Sequence, residues 1–170
     1  GFISVDPSDN AYFTGFTGST SALLISRESA RLLCDFRYIE QATEQAQGVE
    51  VVEGAGSLDI RLAEHLEGMQ LRHVAFEPDT LSVSRHEAIT KKLATPLIAA
   101  PGIGREMRLR KEPGEIARIA EATALAEEAF ESMVECLAPG VSENDMAGVL
   151  ECEFRKRGAQ RPSFDTIVLF

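Results

Sequence analysis

The pattern of apolar runs predicts an α/β domain, a mixed sheet with flanking helices, followed by the opening elements of a second domain. Three observations carry this. Strand-length apolar runs alternate with helical periodicity as far as about residue 100. Two early runs, Ala22 to Ser26 and Arg31 to Cys34, are separated only by Arg27 to Ala30, which predicts an antiparallel hairpin within the sheet. From Pro113 onward the texture changes to long amphipathic helices.

The elements follow in order. Phe2-Ile3-Ser4-Val5 opens on a strand, and the hairpin follows. Asp35 can cap a helix from Phe36 to about Gln47, with Tyr38, Ile39, Ala42 and Ala46 on one face and Gly48 past its end. Glu50-Val51-Val52 is a short strand. Ser57 suits the N-cap of a helix to Leu66 that turns Leu58, Leu62, Ala63 and Leu66 inward, with Gly68 ending it. Arg72 to Phe76 is a strand stopped by Pro78. Ser84 and Glu87 have capping-box spacing in a third helix ending near Leu93, and Leu97-Ile98-Ala99 is the last strand. The order βββαβαβαβ implies a mixed sheet with helices on its faces.

Residues 1–104 are thus expected to form the first domain, 105–112 a linker, and 113–170 an incomplete second domain. Pro101, Gly102 and Gly104 break regular structure at the boundary. Pro113 suits a first helical position, and Ile116, Ile119, Ala120, Thr123, Ala126, Phe130, Met133, Val134 and Leu137 keep a helical period. Pro139-Gly140 turns the chain. Ser142 and Asp145 resemble a capping box for a second helix carrying Met146, Val149, Leu150 and Phe154, with Gly158 past its end. After Arg161-Pro162, Ile167 to Phe170 is expected as a strand opening a new sheet. Gly1 in place of Met, directly before a strand, suggests a chain trimmed in front.

Bulk properties exclude several partners. A net charge of −10 and a pI near 4.8 argue against nucleic acid and against an anionic membrane surface. No apolar run approaches the roughly 20 residues that span a bilayer. Cys34, Cys136 and Cys152 are widely spaced, without a C-x-x-C, and are expected as buried thiols of a reducing, cytoplasmic compartment.

Chemistry-bearing motifs are scarce. His86-Glu87 lacks the second histidine of H-E-x-x-H. His65 and His73 have nothing to bring them together. Glu127, Glu131 and Glu135 line one helix face and are expected to be solvated, since a di-metal bundle site wants Glu-x-x-His partners. Gly102-Ile103-Gly104 lacks the third glycine of a dinucleotide loop, and Ser19, Ser21 and Ser163 lack G-x-S-x-G context. No catalytic residue and no metal ligand is therefore assigned. Two loops stand out. Tyr12, Phe13 and Phe16 lie beside Gly15 and Gly18, where aromatics either fill the space under the sheet or face a partner's cleft. Asp35-Phe36-Arg37-Tyr38 is an N-cap with a held arginine, or a contact to the substrate of a neighbouring subunit.

Two pairs of segments carry a family resemblance: 10-NAYFTGFTGSTSALLIS-26 with 34-CDFRYIEQA-42, and 107-MRLRKEPGEIARIAEATALAEEAF-130 with 139-PGVSENDMAGVLECEFRKRGAQRPSFDTIV-168. Together they closely resemble the Xaa-Pro aminopeptidase, Xaa-Pro dipeptidase (prolidase) and creatinase family, in order and spacing, over nearly the whole chain. The first pair looks like that family's N-terminal domain and the second like the start of its "pita-bread" catalytic domain. The resemblance implies an intact enzyme that hydrolyses peptides or dipeptides at the bond before a proline. It implies two divalent metal ions, expected to be Mn²⁺, held by two Asp, a His and two Glu, and bridging the attacking hydroxide. None of those ligands is in this chain, and Leu169-Phe170 departs from the small residues of the family at that point. The resemblance further implies a homodimer whose N-terminal domain caps the active site, with Tyr12, Phe13, Phe16, Arg37 and Tyr38 as candidate substrate-access or subunit-contact residues. Three alternatives stand beside this: a creatinase-type hydrolase of a small C–N substrate needing no metal, a non-catalytic interaction module, and, weakest, a di-metal enzyme built on the Glu127 face.

Overall fold

The computed structural model describes residues 1–54 and 56–170. They form two compact units, Gly1–Arg110 and Lys111–Phe170. The first contains β1 (Phe2–Ser4), α1 (Pro7–Thr14), β2 (Ser21–Ile25), β3 (Ala30–Cys34), a 3₁₀ turn (Phe36–Tyr38), α2 (Ile39–Gln45), β4 (Glu50–Glu53), α3 (Leu58–Gly68), β5 (Val74–Phe76), α4 (Val83–Thr90), β6 (Leu97–Ala99) and α5 (Ile103–Leu109). The strands make one mixed sheet in the order β4-β3-β2-β1-β5-β6. The predicted hairpin is present, with Leu23 opposite Leu32 and Leu24 opposite Arg31, and β1 is antiparallel to β2. The pairings β3–β4, β1–β5 and β5–β6 are parallel.

Successive strand residues point to opposite faces, and both faces of the central strands are covered. On one side Ile3, Leu24, Leu33 and Val74 meet Leu62 and Leu66 of α3 and Ile89 of α4. On the other, Leu23, Leu32 and Cys34 meet Phe16 and Ala42. Burial on both faces explains why these strands read as continuous apolar runs. Arg61 of α3 is buried and holds the strand ends together, donating to the carbonyl oxygens of Cys34 (3.1 Å) and Gly54.

Several elements differ from the sequence reading. Helix α1 follows β1 directly, capped by Asp6, whose carboxylate accepts from the N–H of Ser8 (2.7 Å) and Asp9 (3.0 Å), with Pro7 at its first turn. The expected helix from Phe36 to Gln47 is a 3₁₀ turn followed by the shorter α2. Ser82, not Ser84, caps α4. Helix α5 lies across much of the segment read as a linker, and the first compact unit runs on to Arg110.

The second unit packs α6 (Pro113–Val134) against α7 (Glu143–Lys156). Both start at reciprocal capping boxes, Glu112 with Glu115 and Ser142 with Asp145. Gly140 takes the left-handed conformation (φ 96°) in the turn between them. The expected strand at Ile167 to Phe170 is not formed: no strand occurs among the described residues after Ala99, and Ile167, Leu169 and Phe170 are exposed. With no neighbouring strand in this unit, extended backbone there has no ladder to join. The thiols also depart from expectation. Cys34 is buried, whereas Cys136 and Cys152 are exposed. Among the described residues, no helix is long and apolar enough to cross a membrane.

Candidate functional site

The residues from Gly15 to Ser19 and from Asp35 to Tyr38 come together at one end of the sheet. Gly15 closes α1 in the left-handed region (φ 81°), where a side chain is disfavoured. The chain then turns Phe16 into the core beneath β2 and β3. Gly18 lies flat on the Phe16 ring, so closely that any Cβ there would collide with it. Thr17 is tied to α2, its N–H donating to Gln45 Oε1 (3.0 Å) and its hydroxyl accepting from Gln41 Nε2 (3.1 Å).

The 3₁₀ turn supplies the charged part. Asp35 caps it, accepting from the Arg37 N–H at 2.9 Å, and binds the Arg37 guanidinium through Nε and Nη2, the latter at 2.6 Å. That guanidinium holds the Asp35 carboxyl below the usual carboxylate range. Arg37 also sits over the Tyr38 ring, 5.5 Å from its centroid. Tyr38 meets Phe16 edge-on at 5.9 Å, and its hydroxyl lies 2.7 Å from Ser19 Oγ. Phe16, Arg37 and Tyr38 thus form one connected group. Phe16 is its buried support, and Arg37 is exposed at the rim.

Phe13 also packs against the cluster that holds Phe16, and with Tyr12 it makes further contacts. Phe13 stacks edge-on with Phe2 (6.3 Å) and Tyr12 (5.3 Å), and the Tyr12 hydroxyl donates to the Met107 carbonyl at 3.4 Å. Their position on α1 turns them toward β1 and α5.

A buried polar cluster, which the motif reading missed, lies beside them. Asp9 of α1 is paired with Arg108 of α5 at 2.9 Å. Glu77, just after β5, accepts from the N–H of Gly102 (2.8 Å) and of Gly104 (2.9 Å). Burial pushes the Asp9 carboxyl up, Arg108 opposes this, and the negative charges of Asp6 and Glu77 add to the rise. The sequence signal for this cluster was only an aspartate and a glutamate at positions where surface residues are the default.

The other motif residues stay apart. Glu127, Glu131 and Glu135 are exposed on α6 and its end. His86 packs its ring 5.1 Å from Phe76. Among the described residues, no group of three or more His, Cys, Asp or Glu could hold a metal ion. The residues present therefore do not fit a di-metal centre. Calorimetric titration of the 170-residue chain with Mn²⁺ is expected to show no stoichiometric sub-micromolar binding. Such binding would mean that ligands converge in a way this fold does not provide.

Comparison with known proteins agrees with the two-unit division. Residues 1–110 match the creatinase/prolidase N-terminal domain, and residues 117–170 match metallopeptidase family M24. A Bacillus subtilis (strain 168) protein named as the uncharacterized peptidase YqhT is 34% identical over 158 residues, covering 92% of this chain and 45% of its own length. The solved Xaa-Pro dipeptidase from Bacillus anthracis is 35% identical with a TM-score of 0.91, covering 96% of this chain and 46% of that one. The X-Pro aminopeptidase from Thermotoga maritima MSB8 is 30% identical with a TM-score of 0.90, over 96% of this chain and 48% of that one. The chain spans about half the length of these relatives. On the match of its first 110 residues, the chain belongs to the creatinase/prolidase N-terminal domain family.

Proposed function

We propose that the chain is the N-terminal portion of a cytoplasmic, homodimeric Xaa-Pro peptidase of aminopeptidase P or prolidase type, whose complete form hydrolyses peptide bonds before or to proline. The observation that carries this reading is the succession of both family regions in one chain, with a solved Xaa-Pro dipeptidase matching 96% of it. Two divalent metals, expected to be Mn²⁺, would supply the activated hydroxide and polarise the scissile carbonyl in the complete protein. Their ligands lie outside these 170 residues.

Within this chain the reading assigns the rim of the Phe16–Tyr38–Arg37 group to substrate access. Arg37 uses Nε and Nη2 for Asp35, and in this reading the exposed guanidinium also takes a carboxylate ligand such as a peptide C-terminus. Asp35 and the Tyr38 ring hold that guanidinium in one orientation. Tyr12 and Phe13 serve as packing for a subunit contact. In the complete protein, cleavage of Xaa-Pro substrates should require added divalent metal and be lost on chelation. Arg37→Ala is expected to raise KM about tenfold with kcat nearly unchanged, since one charge-assisted hydrogen bond to the substrate is lost. No turnover of any Xaa-Pro peptide with any divalent metal would sink the peptidase reading. An unchanged KM would remove Arg37 from the substrate path while leaving that reading intact.

A further inference from the structure

Helix α5 is attached to the first unit differently from α3 and α4. Helices α3 and α4 bury Leu62, Leu66 and Ile89 in the core. The buried residue of α5 is Gly104, Ile103 is half-buried, and Met107 and Leu109 are exposed, at 50% and 65%. Its polar contacts lie at its two ends. At the N-terminal end the Glu77 carboxylate accepts from both Gly102 and Gly104, occupying the first unsatisfied amides of the helix. At the C-terminal end Arg108 is paired with Asp9, and Tyr12 donates to the Met107 carbonyl. Between these ends Gly104 rests against the Asp9 carboxylate with no room for a Cβ.

We propose that α5 is a releasable strap, fastened at both ends by the Glu77 and Asp9–Arg108 contacts, whose release lengthens the connection leading into α6. While fastened, only Arg110, Lys111 and Glu112 lie between α5 and α6. Once released, α5 does not persist as a helix, because seven residues are too few to be helical without tertiary support. The connection then runs from the end of β6 to Pro113. An opening of this kind is local: it breaks a few polar contacts and leaves both apolar faces of the sheet covered. Burial of Asp9 next to Glu77 makes the fastening costly to maintain, and both carboxylates rely on the strap for partners.

The test is amide hydrogen exchange on the 170-residue chain, combined with limited trypsin digestion at Arg105 and Arg108. In Glu77→Gln and, separately, Arg108→Met, exchange across residues 105–109 and cleavage at Arg105 should both speed up about ten- to a hundredfold, the expected effect of losing one hydrogen bond to a charged group. Exchange in β2 and β3 should be unchanged. Glu77→Gln keeps the side-chain volume and one acceptor, so it remains informative should Arg108→Met not fold. Two results overturn the proposal. Unchanged protection of 105–109 in a folded variant would mean that apolar contacts hold α5. Equal loss of protection in β2, β3 and α5 would mean the cluster is a pillar of the whole unit and not a fastening.

Discussion

Replacing Phe16 by alanine is expected to lower the stability of the first unit by about 3–5 kcal/mol, the usual cost of removing a fully buried phenylalanine. Phe16 has no exposed surface and fills the space among Leu23, Leu32, Cys34 and Ala42. Its edge-on contact with Tyr38 adds about 0.5–1.5 kcal/mol beyond the area buried. The loop above it is poorly placed to collapse into the vacancy. Gly15 is fixed in its left-handed turn, and Thr17 is tied to Gln45. Domains of this size are stable by about 5–15 kcal/mol, so the substitution removes about a fifth or more of the total. Phe36→Ala is the control. Phe36 is 76% exposed, and its loss should change stability by no more than about 0.5 kcal/mol. Urea unfolding followed by tyrosine fluorescence, with Tyr12 and Tyr38 the only tyrosines and no tryptophan present, measures both. A loss below about 1 kcal/mol for Phe16→Ala would show that the loop repacks.

That contrast also shows what was legible in the sequence. The hairpin of β2 and β3 was legible because Leu23, Leu24, Leu32 and Leu33 fill both faces of the sheet, and such runs announce themselves without any partner being known. The cap at Ser142 was legible because its chemistry is local, three residues from donor to acceptor, whereas at the start of α6 only Pro113 was read and the box of Glu112 with Glu115 was not. Helices α1 and α5 were not. The first buries Asp9, Asn10 and Thr14, and the second buries Gly104, so neither carries an apolar stripe. Their stability comes from contacts between distant parts of the chain, such as Asp9 with Arg108, which periodicity cannot report. The candidate site divides in the same way. Arg37 beside Asp35 is a local pairing that the residues themselves suggest. The bond between Tyr38 and Ser19, which joins the two loops, depends on the sheet being assembled. The strand expected at Ile167 to Phe170 had suitable residues and lacked a neighbour, and a strand is defined by its neighbour.

Amide exchange in α6 and α7 is expected to be at least about a hundredfold faster than in β2 and β3, a gap of about 2.7 kcal/mol in opening free energy. The second unit buries little apolar surface. Among its described residues Ala129, Met133 and Met146 are buried, while Ile116, Ile119, Phe130 and Leu137 are each half or more exposed. Helices gain most of their stability from the face they bury, not from propensity. The remaining support is modest. Each capping box contributes about 1 kcal/mol. The pairs joining Arg157 to Glu128 and Lys156 to Glu153 each have one exposed member, and such pairs add little stability. The bond from Arg157 Nη2 to Ser132 Oγ (2.7 Å) is a partly shielded polar tie between α6 and the end of α7. The exposed stripe of α6 can also be covered by a second copy of the chain. The net charge of −10 opposes this only weakly, because salt at about 0.15 M screens charges beyond roughly 8 Å. The experiment should therefore be run at low and high protein concentration, with sedimentation alongside. Protection of α6 that rises with concentration, together with a growing sedimentation coefficient, is the expected signature of association through the stripe. Ile119→Glu with Phe130→Glu should abolish both changes. Strong protection of α6 and α7, equal to that of β2 and β3 in a dilute monomer, would show that two helices with three buried apolar side chains can sustain themselves.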